Sequence, residues 1–278
     1  MNQAVEHKKK IYSYAVNEKT PALEFLAENT KLSKMVIKKL FNAGAVWVVD
    51  EKGENRFRKI KGDLEAGTRV RVYHDPNIKP FDMELVECIH DTHNWGIWYK
   101  PAGLLSQGTK YGDQYSILRL VEKKINRPGL LVHRLDRETS GLMIIAYNKK
   151  IARYFSEQIR ERKVHKYYQA VLKGELEKDS GEIRFDIDGK EAVTEYKVLE
   201  RKNGQTLVEA LLITGKKHQL RIHFDHIGHA IMGDPRYGSF NSHEDGLQLV
   251  ASKIILLAPG RNNEMKFEIK ADKKLSIK

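Results

Sequence analysis

A polar loop, His133-Arg134-Leu135-Asp136-Arg137-Glu138-Thr139-Ser140-Gly141, separates the apolar runs Leu130-Leu131-Val132 and Leu142-Met143-Ile144-Ile145-Ala146. Strand-like segments at both ends fix such a loop, so a carboxylate at its centre is held out for use. Arg134 and Arg137 lie close in sequence to Asp136 and favour its ionised form. An ionised aspartate on a fixed loop can act as a nucleophile toward an electrophilic carbon. The plain alternative is a turn residue paired with Arg134 or Arg137, as many loop aspartates are.

Two later blocks add chemistry. Lys166-Tyr167-Tyr168 places adjacent aromatic rings on a strand, where alternation sends them to opposite faces. The run Gly215-Lys216-Lys217-His218-Gln219-Leu220-Arg221-Ile222-His223 continues to Gly228-His229-Ala230-Ile231-Met232-Gly233-Asp234-Pro235-Arg236-Tyr237-Gly238. The apolar spacing of Leu220, Phe224 and Ile227 suggests a helix, on which Arg221 and Asp225 stand four apart and could form a surface ion pair.

In this order the three blocks closely resemble the signature of the RluA-type RNA pseudouridine synthases. The resemblance implies that Asp136 is the nucleophile, that Arg221 pairs with it, and that Tyr168 stacks on the target base and is a candidate to take the C5 proton. It implies that Arg134 enters the RNA stack where the target nucleotide has turned out. An upstream run, Trp95-Gly96-Ile97-Trp98-Tyr99-Lys100-Pro101-Ala102-Gly103, resembles the family's Lys-Pro-Ala-Gly block, with Tyr99 where Asn is common. Lys100, Lys216, Lys217 and His218 are expected along the phosphate path. Lys216-Lys217 stands in place of the common Arg-Thr, which keeps charge but loses a bidentate fork and a hydroxyl.

Composition agrees with a polyanionic partner. The chain of 278 residues carries a formal charge of +12, and Lys and Arg that neutralise phosphates release counterions. A hydrophobic content of 41% is enough for a substantial core and a second small domain. No segment reads as a transmembrane span or a secretory signal, so no membrane partner and a cytoplasmic location are expected. The single cysteine, Cys88, allows neither an intrachain disulfide framework nor a cysteine-based zinc site. His218, His223, His226 and His229 lack the spacing of a helical metal pair, and neither a Walker loop nor a dinucleotide fingerprint is present. A reaction without metal or cofactor, carried out by a monomer, is therefore expected.

The elements that must position these residues fall into two parts. Thr20-Pro21 opens one helix, and Ser33 caps a second whose apolar face is Val36, Ile37, Leu40 and Phe41, with Gly44 as its stop. Strands follow at Val46–Val49 and Arg69–Tyr73, separated by turns at Asp50-Glu51-Lys52-Gly53 and Glu65-Ala66-Gly67. Lys31, Lys34 and Lys38 are spaced to share the second helix's outer face, and Arg56, Arg58, Lys59 and Lys61 add charge nearby. A solvated lysine face is the plain reading, and RNA contact the preferred one. The unit resembles the alpha-L RNA-binding domain named after the fourth small-subunit ribosomal protein, although the usual Asn-Gly between its strands is absent.

Asp75-Pro76-Asn77-Ile78-Lys79-Pro80 reads as a linker. Beyond it, Asn148 can cap a helix bearing Ile151, Phe155 and Ile159, and strands are expected at Tyr168–Leu172, Glu182–Ile187, Ala192–Leu199 and Thr206–Ile213, with hairpin turns at Asp188-Gly189 and Asn203-Gly204. The expected fold is α+β: a small N-terminal RNA-binding domain over residues 18–75, then a catalytic domain over 82–278 with a largely antiparallel mixed sheet flanked by helices. Isomerisation of uridines in ribosomal or transfer RNA is the expected activity.

Overall fold

The structure is a computed structural model that describes residues 8–51, 53–78 and 81–277. Lys52 of the first expected turn and Lys79-Pro80 of the expected linker lie outside the described residues. The chain divides into two compact units, and the division is not linear in sequence: residues 107–124 join residues 1–82, while 83–106 and 125–278 form the second unit.

The first unit contains β1 (Lys10–Ala15), β2 (Thr20–Pro21), α1 (Ala22–Thr30), α2 (Lys34–Ala43), β3 (Val46–Asp50), β4 (Gly53–Arg56), β5 (Asp63–Leu64) and β6 (Arg69–His74). Strands β1-β6-β3-β4 form an antiparallel sheet. Ser33 accepts the Val36 N–H at 3.3 Å and Gly44 closes α2 in the left-handed region, as their residue types require. Leu26, Ile37, Phe41, Val46, Val70 and Val72 form the core between helices and sheet.

Lys31 is not on α2. It is the left-handed C-cap of α1, so only Lys34 and Lys38 share the helix. Arg56 and Arg58 also differ from expectation: both bind the Asp113 carboxylate, and Arg56 lies over the Trp47 ring, so their charge is used within the unit. Residues 107–124 are tied to this unit further by the Trp47 Nε1–H bond to the Lys110 carbonyl and by Lys110 on Glu54. The helix α3 (Ile117–Ile125) begins within this segment.

The second unit is built on one large mixed sheet. Its strands are β7 (Glu87–Asp91), β8 (Trp95–Lys100), β9 (Leu130–Leu131), β10 (Ser140–Ala146), β11 (His165–Lys173), β12 (Ser180–Arg184), β13 (Val193–Lys202), β14 (Gln205–Leu212), β15 (Leu249–Leu257) and β16 (Glu264–Glu268). The main order is β12-β13-β14-β11-β15-β10-β8-β7, with β9 on β10 and β16 on β15. Only β10 and β15 pair in parallel among these strands. Asn203-Gly204 forms the two-residue β13–β14 turn with both φ positive, which its residue types favour.

Helix α4 (Lys149–Arg160), capped by Asn148 through the Ile151 N–H at 3.0 Å, lays Ile151 and Phe155 on Ile97, Leu142, Ile144 and Ile254. Residues Gly141 to Ala146 are buried throughout β10, which explains why this strand reads as an unbroken apolar run rather than an alternating one. Helix α5 (Gln219–His226) completes the elements around the site.

Candidate active site

Asp136 lies in the loop between β9 and β10. The loop leaves the ladder in a defined way: β9 pairs with Ile145 and Ala146, and the next β10 amide, Ile144 N–H, is accepted at 2.9 Å by His133 Nε2. A side chain thus takes over from the backbone where the chain turns away. The imidazole must be neutral to accept, and burial, with Lys166 adding to it, pushes its pKa down to about 3. At the loop's other end Gly141 has φ +121°, and a Cβ there would stand 2.3 Å from the Ala251 carbonyl oxygen. Only glycine lets β10 approach β15 at this point.

Arg221 projects from α5 and is only 1% exposed. Its Nη1 donates to Asp136 Oδ2 at 3.2 Å, while Nε and Nη2 form a bidentate pair with Asp234 at 2.7 Å each. The alternative partner Asp225 is not used; Arg221 reaches between two carboxylates, and the second is Asp234. Burial opposes its charge, but Asp234 and then Asp136 raise the guanidinium pKa above its ordinary value. Asp234 Oδ1 also accepts the Arg236 and Tyr237 N–H groups at 2.9 and 3.2 Å, so this buried carboxylate is well satisfied.

His218, expected on the phosphate path, stands beside Asp136. It adopts a left-handed backbone at the head of α5, with Nε2 3.7 Å from Asp136 Oδ2 and Nδ1 3.1 Å from the Tyr237 hydroxyl. Burial lowers its pKa against the pull of Asp136, and Arg221, Arg236 and Lys217 lower it further. Contacts therefore run in a circuit from Asp136 through Arg221, Asp234, Tyr237 and His218 back to Asp136. Gln219 fixes the turn before α5: its oxygen accepts from Thr214 Oγ1 and Lys216 N–H, and its nitrogen donates to the Val193 carbonyl and Thr194 Oγ1. Beside it Lys217 is exposed and Lys216 half-buried.

Tyr167 and Tyr168 separate as alternation requires, with a register shift between them opposite β15. Tyr167 packs under the Lys253 ammonium, 4.0 Å from its ring centroid. Tyr168 is buried, and desolvation followed by the Asp136 carboxylate raises its phenol well above the usual range. Arg134 is exposed on the same loop as Asp136.

Lys100 corrects the sequence reading most sharply. It is fully buried, with Nζ donating to the carbonyls of Pro101 at 3.0 Å, Leu104 at 2.8 Å and Arg137 at 3.2 Å. An ammonium whose three protons are all used inside the protein does not line a phosphate path. Burial pushes its pKa down to about 7, with Glu138 and Asp136 opposing the shift.

The four histidines do not converge: His223 bonds the Phe185 carbonyl, His226 stacks on Phe185, and His229 bonds the Lys173 carbonyl. Among the described residues no group of three His, Cys, Asp or Glu is arranged to hold a metal ion, and no helix is long and apolar enough to cross a membrane.

Neither Asp234 nor Tyr237 is among the site residues expected from sequence: both lie in the block Gly228–Gly238, but no spacing rule joins Asp234 to an arginine thirteen positions earlier.

The arrangement is an enzyme site centred on one loop carboxylate, in a chain whose charge suits a polyanion. A family model described as RNA pseudouridylate synthase matches residues 94–226. An uncharacterized RNA pseudouridine synthase of Aquifex aeolicus is 35% identical over 85% of this chain and 85% of its own length. A ribosomal large subunit pseudouridine synthase C of Rickettsia bellii is 32% identical over 86% of this chain and 90% of its own. The dual-specificity RNA pseudouridine synthase RluA of Haemophilus influenzae is 33% identical over 72% of this chain and 98% of its own. Among solved structures, human RNA pseudouridylate synthase domain containing 4 superposes with a TM-score of 0.55 at 28% identity, over 66% of this chain and 87% of that one. The chain belongs to the RNA pseudouridylate synthase family, and its activity is the isomerisation of uridine in RNA.

Proposed function

We propose that Asp136 is the nucleophile of this isomerisation and that the substrate is ribosomal RNA. The observation that carries the first part is the buried guanidinium of Arg221, fixed by Asp234 and presenting one N–H to Asp136. Such a donor orients the carboxylate through a charge-assisted hydrogen bond and does not neutralise it by proton transfer. Pseudouridine formation breaks the bond from uracil N1 to C1′, turns the base and rejoins it through C5, so N1 gains a proton and C5 loses one. Attack at C1′, addition to C6 and assisted glycal formation all require an ionised carboxylate beside the nucleoside.

Reaching that nucleoside requires it to leave the stack. Arg134, exposed on the Asp136 loop, is the side chain we assign to the vacated space, and Lys216 and Lys217 are assigned to phosphates. Tyr168 offers a ring to the extruded uracil. Its raised pKa disfavours a standing phenolate, so any part it takes in removing the C5 proton is coupled to a transfer away from its own oxygen.

Ribosomal RNA is favoured because the relative named for the large ribosomal subunit aligns along most of this chain. We read residues 18–75 as an RNA-binding domain of the S4-like type and 82–278 as the catalytic part, in a monomeric cytoplasmic enzyme. The test is tritium release from C5-labelled ribosomal RNA lacking the modification. Release and pseudouridine are expected from the intact protein, none from Asp136→Ala, and turnover slowed with RNA affinity kept in Tyr168→Phe. Full release by Asp136→Ala would remove the nucleophile assignment, and release only from labelled transfer RNA would remove the substrate assignment.

A further inference from the structure

Arg221 orients the Asp136 carboxylate, but the backbone beneath that side chain is held from another direction. Leu135, the residue immediately before Asp136, is buried and lies outside any strand, so its peptide groups have no ladder partner. Both are taken by one side chain. The Ser106 hydroxyl donates to the Leu135 carbonyl at 2.6 Å and accepts the Leu135 N–H at 3.0 Å. Ser106 is itself only 4% exposed, and its remaining polar contact is Met143 Sδ at 3.7 Å.

On the far side of Asp136 the Arg137 carbonyl accepts the Gly103 N–H at 2.8 Å, and Arg137 Nε returns a bond to the Gly103 carbonyl at 3.1 Å. The 103–106 segment therefore grips the chain one residue before and one residue after Asp136. The Gly103 grip is shared between a backbone bond and the exposed Arg137 side chain; the Ser106 grip depends wholly on one hydroxyl. A hydroxyl has the one donor and two acceptor sites that this double contact needs, which an alkyl side chain of the same size lacks.

We propose that Ser106 is a positioning residue for the reaction: its hydroxyl locks the Leu135 peptide groups and so fixes where the Asp136 carboxylate meets the target nucleoside. The inference rests on the reading of Asp136 as nucleophile. Loss of the hydroxyl leaves both Leu135 groups buried without this partner and frees that peptide to rotate, and a misplacement of about 1 Å costs roughly a hundredfold in a positioned reaction. RNA binding, which depends on exposed basic groups, is not affected.

The experiment measures single-turnover tritium release from C5-labelled ribosomal RNA at saturating enzyme, together with RNA affinity, for the full-length protein and S106A, S106T and S106V. Threonine and valine have the same shape and differ in the hydroxyl, so their comparison cancels packing strain, even if S106A folds poorly. S106A is expected to slow release by about tenfold to a hundredfold with RNA affinity unchanged within about twofold. S106T should exceed S106V by about tenfold. Equal rates for S106T and S106V, or losses that track RNA affinity, overturn the proposal. Asp136→Ala run in parallel separates the two readings: if it retains activity the nucleophile assignment fails, whereas an inactive Asp136→Ala beside an unimpaired S106A removes only the role of Ser106.

Discussion

At the scale of single residues, the decisive contact is the one between Arg221 and Asp234, because the pair is buried almost completely. Two charges removed from water gain little net stability from each other, but removing one partner strands the other. Asp234→Ala leaves the guanidinium with only Asp136 at hydrogen-bond distance and Glu138 3.9 Å away, and deprives the Arg236 and Tyr237 N–H groups of their acceptor. The expected cost is about 3–5 kcal/mol, a fall of about 10 °C in Tm for a chain of this size. Thermal melting measures it, and a change under 2 °C would mean that water enters and solvates the arginine. Arg221→Lys should also fail to restore activity, since a single ammonium cannot bind Asp234 bidentately while donating to Asp136.

At the scale of elements, the loop carrying Asp136 depends on His133 staying neutral. Its pKa is about 3 in the folded protein against an ordinary value of 6.5. Below pH 6.5 the unfolded chain binds a proton that the folded one refuses, so this group's share of stability is complete above 6.5 and is lost as pH falls toward 3. The loss is about 1.4 kcal/mol per pH unit. His133→Asn, whose side-chain oxygen can accept an N–H without titrating, should show a shallower decline in denaturant midpoint between pH 6.5 and 4.5; parallel declines would show that His133 is protonated in place. The elements themselves were legible wherever one residue type sets a local geometry: Ser33 and Asn148 as caps, Gly44 as a stop, Asn203-Gly204 as a turn. Strand β15 escaped the sequence reading because it lies between β10 and β11 and is mostly buried on both faces, leaving little alternation to recognise. Lys100 was misplaced for a related reason. Lysine ordinarily marks solvent, and only the chain folding back at Leu104 and Arg137 supplies the carbonyls that let it be buried.

At the scale of the whole molecule, a charge of +12 predicts salt-sensitive binding to RNA, and the structure narrows where in the first unit that charge is free to act. Arg56 and Arg58 hold Asp113, Lys110 and Arg71 hold Glu54, and Lys34 shares an exposed bridge of 3.3 Å with Glu24. Lys31, Lys38 and Lys39 remain exposed around α2, and Lys34 exchanges its surface partner readily because such bridges contribute little. Deleting residues 1–76 is a poor probe of this face, since it also strips residues 107–124 of the arginines on Asp113 and of Trp47. Reversing the charge of Lys34 and Lys38 to Glu is cleaner. Each lost phosphate contact lowers the salt slope of log affinity by about 0.7–0.9, so the double variant should bind ribosomal RNA at least about tenfold more weakly near 0.1 M salt, with a slope shallower by one to two. Because α2 lies in a different compact unit from Asp136, the single-turnover rate at saturating RNA should hold. A slope equal to that of the unaltered protein would return these lysines to the status of a solvated helix face and leave RNA recognition to the second unit.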